Sequence, residues 1–316
     1  MKKVLKIVTG LIILLLIIDI IASFYFYDLA IKTGPKEFLQ GNKDLEVSAE
    51  TMDVLLEGSW RDWVANQDFE RIEMTSRDGL TLQGYFLEAE EPTNKLVVAA
   101  HGYLGRGSDM GLFGQYYYEE LGYNFFTADA RGHGRSEGDY IGFGWPDRLD
   151  YVDWIDLLIE RLGPDTEIIL HGLSMGAATV LMTSGEELPS NVKVLIADSP
   201  YTSVQELFSY QVTRMFNLPP FPVINTTSLV TKVKAGYSFT EASALKQVKN
   251  TNIPVLYIHG NKDTFVPTSM SQELYENTQN AELVIFDGAN HGESFVIDEE
   301  RYIEVLNEFL EENDLK

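Results

Sequence analysis

The chain has 316 residues, 45% of them hydrophobic and 12% aromatic, enough to bury one large core. Its 48 acidic residues outnumber 24 basic ones, for a formal net charge of -24 and an isoelectric point near 4.5, which repels a polyphosphate backbone and argues against nucleic acid as a partner. There is no cysteine, which excludes a disulfide framework, a thiolate metal site and a cysteine nucleophile.

The N-terminal stretch MKKVLKIVTGLIILLLIIDIIASFYFYDLA places Lys2, Lys3 and Lys6 ahead of an apolar run from Ile7 to Tyr27, interrupted by the single charge of Asp19. Its fourteen Leu, Ile, Val and Phe residues favour bilayer insertion by roughly 4 to 8 kcal/mol, against a cost of about 3 kcal/mol for an aspartate at the centre and less toward an edge. The run is long enough to span, and near Ala22 and Ser23 a bulky Ile stands where a signal-peptide cleavage site needs a small residue. Residues 1–27 are therefore expected to form an uncleaved transmembrane anchor in preference to a removed signal peptide. The three leading lysines put that end in the cytoplasm and the rest of the chain outside the cell membrane, with Lys32 and Lys36 on the far flank acting against this orientation. Without its first 36 residues the chain carries -27, a charge not expected to adhere to anionic lipid.

Residues 28–66 read as a connector, in which Val54, Leu55, Trp60, Trp63 and Val64 fall at helical spacing and predict a helix packed on the main domain. From residue 67 two alternating runs meet at Asp78-Gly79, the signal of an antiparallel hairpin. Apolar strands then alternate with helical segments: KLVVAAH, YNFFTAD, TEIILHG, KVLIADS, IPVLYIHG and AELVIFDG are the strands, and PDRLDYVDWIDLLIERLG and ERYIEVLNEFLEEN are among the helices. Continuous apolar strands imply a sheet covered on both faces, so residues 67–316 are expected to form a mostly parallel, doubly wound α/β domain entered through a hairpin. The 201–250 stretch breaks the alternation and is too long for an ordinary connection; it reads as an inserted cap.

Gly172-Leu173-Ser174-Met175-Gly176 follows a predicted strand and opens a predicted helix, the context in which G-x-S-x-G acquires a mechanical meaning. Glycines on both sides let strand and helix approach, while the serine occupies a tight turn that exposes its hydroxyl, and the Met175 N–H at the helix start faces the position of a developing oxyanion. A serine needs a base and an acid that orients the base. Of the five histidines only His259 and His291 follow Ser174; His259 lies inside a predicted strand, where a structural role is expected, which leaves His291 in DGANHGES. For the acid, Asp263 in HGNKDTFVP is preferred and Asp198 in ADSP is the alternative.

The ordered motifs HGYLGRG, DARGHGRSEG, GLSMGAA, GNKDTFVP and GANHGES resemble those of the α/β-hydrolase superfamily, and the chain looks like its membrane-anchored bacterial members, the serine-aminopeptidase-like and BEM46-like group. The resemblance covers about residues 67–313. It implies Ser174 as nucleophile, Asp263 as acid, His291 as base, and the N–H groups of Tyr103 and Met175 as an oxyanion hole. DARGHGRS matches a loop whose role in the family is mainly structural, so Arg131 and His133 stay outside the catalytic set. The function so implied is hydrolysis of an ester-like acyl bond through an acyl-enzyme, as in a carboxylesterase, on small-molecule substrates with short to medium acyl chains. Peptidase or thioesterase action, or an idle surface-anchored binding protein, are the alternatives. No metal or organic cofactor is required. Met215, Phe216 and Phe221 in the cap are expected to contact substrate, and the lipid bilayer is the partner of the N-terminal helix.

Overall fold

The computed structural model describes residues 1–36 and 49–316. The first helix, α1 (Lys2–Phe26), contains no proline and continues as a π-helical turn over Tyr27–Ile31, ahead of Gly34 and Pro35. The connector expected over 28–66 lies partly, at residues 37–48, outside the described residues. Its remainder holds two helices where one was expected, α2 (Ala49–Glu57) and α3 (Ser59–Asn66). They part at Gly58, where a Cβ would stand 2.3 Å from the Val54 carbonyl oxygen. Trp60 and Trp63 of α3 are buried, as their spacing predicts.

The predicted hairpin forms from β1 (Glu70–Thr75) and β2 (Thr81–Leu87), with Glu70 opposite Phe86 and Thr75 opposite Thr81. There follow β3 (Lys95–Ala100), α4 (Gly111–Glu119), β4 (Asn124–Ala128), α5 (Asp147–Leu162), β5 (Glu167–Leu173), α6 (Met175–Thr183) and β6 (Val192–Asp198). The stretch expected to form a cap comprises α7 (Val204–Phe216), α8 (Val223–Ala235) and the short α9 (Ala244–Gln247). Last come β7 (Val255–Gly260), α10 (Thr268–Glu276), β8 (Ala281–Phe286), α11 (Ser294–Ile297) and α12 (Glu299–Glu312).

The eight strands are ordered β1-β2-β4-β3-β5-β6-β7-β8. Strands from β4 to β8 run parallel, and β2 is antiparallel to both its neighbours. Alternate residues feed two cores: Val98, Leu170 and Leu195 pack with Ile155 and Val180, while Val97, Ile169 and Ile196 pack with Phe113 and Leu306. Burial on both faces explains why these strands are apolar throughout. The parallel strands all end on one edge, and the loops after β3, β5, β7 and β8 meet there, the edge at which such sheets bind ligands.

One packing feature was not visible in the sequence. The last turns of α1 are built into the core of the α/β domain: Phe26, Tyr27 and Ile31 are buried in the same cluster as Val212, Val223 and Ile224 of the cap. Thr226 Oγ1 of α8 donates to Asp19 Oδ2 at 2.6 Å, and the buried Ser23 hydroxyl lies 3.5 Å from the Val223 carbonyl. From Val4 to Ile18, by contrast, the large apolar side chains of α1 are exposed. The helix is long and apolar enough to cross a membrane.

Candidate active site

Ser174 stands alone between β5 and α6, with φ 55° and ψ -113°. A non-glycine residue adopts such a conformation only when its surroundings impose it, at a cost of order 1–3 kcal/mol. The glycines on either side show what imposes it. A Cβ on Gly172 would lie 2.3 Å from the Gly176 carbonyl oxygen, and one on Gly176 would lie 1.9 Å from that of Ala100, so strand and helix close on each other with no room for a side chain. The Ser174 N–H donates to the Asp198 carbonyl at 2.7 Å and clamps the turn to β6.

Two further loops reach this serine. His291, after β8, sets Nε2 2.8 Å from Ser174 Oγ, and its Nδ1 lies 2.7 Å from Asp263 Oδ2. Asp263, after β7, is held from its other oxygen: Oδ1 accepts the N–H groups of Phe265 (2.9 Å) and Val266 (2.8 Å). Burial alone would raise the Asp263 carboxyl, but the charge of His291 and hydrogen bonds from His259 and His291 outweigh it and hold this group well below the ordinary carboxylate range. Burial likewise acts to lower His291, and the Asp263 charge and hydrogen bond, with Asp198 behind them, raise it overall. An ionised Asp263 keeps the imidazole proton on Nδ1, which leaves Nε2 free to accept from the serine hydroxyl.

Of the two candidate acids, Asp263 is the one that contacts His291. Asp198 is fully buried, accepts from Ser199 Oγ at 2.9 Å, and is pushed up to about 6 by burial. His259, expected to be structural, lies closer to the chemistry than its place in a strand suggested. Its Nε2 is 2.9 Å from Asp263 Oδ2 and 2.9 Å from the Val266 carbonyl, and its Nδ1 is 2.6 Å from Ser271 Oγ. Facing two acceptors, Nε2 carries the proton and donates, so His259 positions the carboxylate from behind.

The turn after β3 borders the serine on its other side: a Cβ on Gly102 would be 3.5 Å from Ser174 Cβ. His101 Nε2 accepts the Ala130 N–H at 2.9 Å, and Nδ1 donates to the Gly102 carbonyl at 2.8 Å. Burial lowers His101 to about 4, which keeps it neutral and able to play both parts. Because the 102–103 peptide is trans, fixing the Gly102 carbonyl on His101 turns the Tyr103 N–H the opposite way. Met175 opens α6, so its N–H is among those a helix leaves without an internal acceptor. The DARGHGRS loop braces this turn. Arg131 is buried between Asp150 and Asp78, at 2.7 and 2.8 Å, and His133 Nε2 accepts the Leu104 N–H at 3.3 Å.

Over Ser174 lies a cavity of about 80 Å³ with an almost wholly apolar lining. Met215 and Phe216, expected to contact substrate, line it. Phe221 does not: it sits in the turn joining α7 to α8, outside the cavity and 75% exposed, because α7 ends at Phe216 and the chain has already left the site. Sequence reasoning missed Gln211, whose side-chain N–H donates to the Phe265 carbonyl and ties α7 to the acid loop. It also missed Phe26, Leu29 and Ala30, the wall contributed by the end of α1. Tyr103 joins that wall to the serine side, its hydroxyl donating to the Ala30 carbonyl at 2.8 Å. Only the FYFY run at 24–27, unusually aromatic after an aliphatic helix, could have hinted at it.

The family model described as serine aminopeptidase S33 matches residues 91–238, and that of the dienelactone hydrolase family matches residues 223–309. YqkD of Bacillus subtilis is 27% identical over 255 residues, covering 78% of this chain and 82% of its own. Protein bem46 of Schizosaccharomyces pombe is 24% identical over 255 residues, covering 79% of each chain. Among solved structures, the Pyrococcus furiosus esterase Pf2001 superposes with a TM-score of 0.61 at 24% identity, covering 79% of this chain and 94% of the esterase. The mostly parallel eight-stranded sheet with its antiparallel start, the ordered motifs and these likenesses together identify the chain as a member of the α/β-hydrolase superfamily.

Proposed function

We propose that the protein is a membrane-anchored serine hydrolase that cleaves carboxylic esters. The observation that carries this reading is the unbroken relay Ser174 Oγ, His291 Nε2, His291 Nδ1, Asp263 Oδ2, with contacts of 2.8 and 2.7 Å. Ser174 attacks the ester carbonyl as its proton passes to His291; the same proton goes to the departing alkoxide, leaving an acyl-enzyme and an alcohol. Water then repeats the cycle and releases the acid. The Tyr103 and Met175 N–H groups stabilise the oxyanion in both halves. Asp263 holds the imidazole in its working tautomer, and His259 holds Asp263.

The cavity favours an ester over a peptide with a free amine, since its lining among the described residues includes no carboxylate to bind an ammonium group. A cavity of about 80 Å³ suits short to medium acyl groups next to the scissile carbonyl. Of the anchor expected over residues 1–27, we place residues 1–18, whose large apolar side chains are exposed, in the membrane and the hydrolase domain on the extracytoplasmic side. Protease added to intact cells should then release the domain by cutting within 28–66, and protection until lysis would reverse the orientation.

The deciding experiment is labelling with a fluorophosphonate alongside turnover of a panel of acyl esters, thioesters and amides. Wild type should label and prefer esters, while Ser174→Ala should lose the label and several orders of magnitude in kcat/KM. Labelling retained in Ser174→Ala would refute the nucleophile.

A further inference from the structure

The cavity over Ser174 has one wall made from the helix assigned to the membrane. Phe26, Leu29 and Ala30 close it on that side, and Phe26 meets Phe216 of α7 edge to face at 5.1 Å. On the outer flank of Phe26 its ring neighbour Tyr25 is 55% exposed. This aromatic pair thus separates the apolar cavity from the apolar exterior of α1.

The cap beside α1 carries its own unpartnered apolar surface. Phe221, Leu229 and Val233 are 75%, 63% and 80% exposed, and the latter two lie four residues apart on one face of α8. Residues 2–18 of α1 span about 25 Å at 1.5 Å per residue, close to the ~30 Å hydrocarbon thickness. Asp19, held by Thr226 of α8, therefore falls at the edge of the bilayer and brings this face of the cap to the lipid surface. Charge agrees with that placement. In a chain of net charge -24, residues 201–250 contain five basic side chains (Arg214, Lys232, Lys234, Lys246, Lys249) and only two acidic ones (Glu206, Glu241). Exposed apolar side chains interspersed with lysines are what an interfacial helix presents to a leaflet.

We propose that the cavity is loaded from the bilayer: the acyl chain of a membrane-dissolved carboxylic ester passes between α1 and the cap, beside Phe26 and Phe216, and lays its carbonyl at Ser174. This rests on the Ser174 hydrolase reading and on α1 spanning the membrane. The carbons nearest the carbonyl fill the cavity, and the rest of a longer chain continues along α1 toward the lipid. The exposed face of α8 keeps that passage at the interface.

The test uses the full chain in vesicles of phosphatidylcholine and phosphatidylglycerol, with a water-soluble butyrate ester and a bilayer-dissolved palmitate ester of the same fluorogenic alcohol. The double variant Leu229→Glu, Val233→Glu should lower the palmitate-to-butyrate rate ratio roughly tenfold. Because the chain has no cysteine, Phe221→Cys can carry a polarity-sensitive dye, which should shift to the blue in vesicles, while the same dye at Glu120→Cys, on the opposite face of the sheet, should not. An unchanged ratio, or a dye at 221 as wet as at 120, would overturn loading from the bilayer; so would a blue shift in detergent that grows with protein concentration, which would place a second copy on this face. Fluorophosphonate labelling of the same samples separates the two readings. Labelling at Ser174 with an unchanged ratio leaves the hydrolase intact and removes the bilayer route, whereas absent labelling removes both.

Discussion

Ser174 and Phe26 line the same cavity but are held there by different kinds of constraint. Ser174 is fixed by close backbone contacts: its flanking glycines, the Ala100 carbonyl and the Asp198 carbonyl leave the turn no other path. Phe26 is fixed by residues far along the chain, through its contact with Phe216 and the bond that Thr226 donates to Asp19. Local constraint tolerates almost no substitution and yields one geometry, whereas distant packing tolerates exchange of side-chain volume and can open. On the proposed function, the first kind of wall would carry the chemistry and the second the selectivity.

The largest effect expected within the local wall is at its acid. Asp263→Asn should lower kcat/KM by about 10⁴-fold, because an amide no longer fixes the proton on Nδ1 of His291. Asp198→Asn, without contact to that ring, should cost roughly tenfold or less, and steady-state kinetics on one soluble ester ranks the two. Equal losses would mean that the local relay extends a strand further than the contacts indicate.

Next is the turn itself. Gly176→Ala pushes a methyl group against the Ala100 carbonyl and should cost about 1–3 kcal/mol of stability as an overpacked site, together with a marked loss of labelling. Phe216→Ala, in the distant wall, should leave labelling in place and move the acyl-length optimum to longer chains. If denaturant unfolding and labelling rank these two variants the other way, the contrast between the walls fails.

A smaller effect should appear in the pH profile. His291 must be neutral to take the serine proton, and the neighbouring carboxylates, against burial, raise its value above that of a free imidazole. Turnover should therefore rise with pH, with a midpoint above the usual ~6.5, and the residual activity of Asp263→Asn should show a lower midpoint. A wild-type midpoint below the ordinary value would mean that burial wins. The smallest change is expected at Phe221. Its replacement by Ala should leave the chain-length profile on soluble esters as it is, in contrast to Met215→Ala, which enlarges the cavity.

The same distinction explains what could be read from the sequence. The strands, the hairpin at Asp78-Gly79 and the constrained serine turn are local patterns, and the motif order pointed to His291 and Asp263. Phe221 was misplaced because apolar content within a predicted cap does not say which side chains turn inward once α7 has ended. His259 was undervalued because the direction of its ring depends on Ser271 and the acid loop, which are contacts between elements. Phe26, Leu29 and Ala30 were invisible as cavity wall because a hydrophobic run long enough to cross a bilayer looks the same whether its end is free or docked. The overall charge also concealed a basic cap within an acidic chain.

The docking of Tyr27–Ile31 into the core changes what trimming this protein would do. Cutting away the first 36 residues is the obvious way to obtain a water-soluble enzyme, and it would also take out one side of the cavity over Ser174. Tyr103 would lose the carbonyl its hydroxyl holds, Phe216 its ring partner and Thr226 its acceptor. The resulting cleft would be open to water where the native one is walled by aromatic rings. A shortened enzyme could keep the nucleophile and report a selectivity that the intact protein does not have.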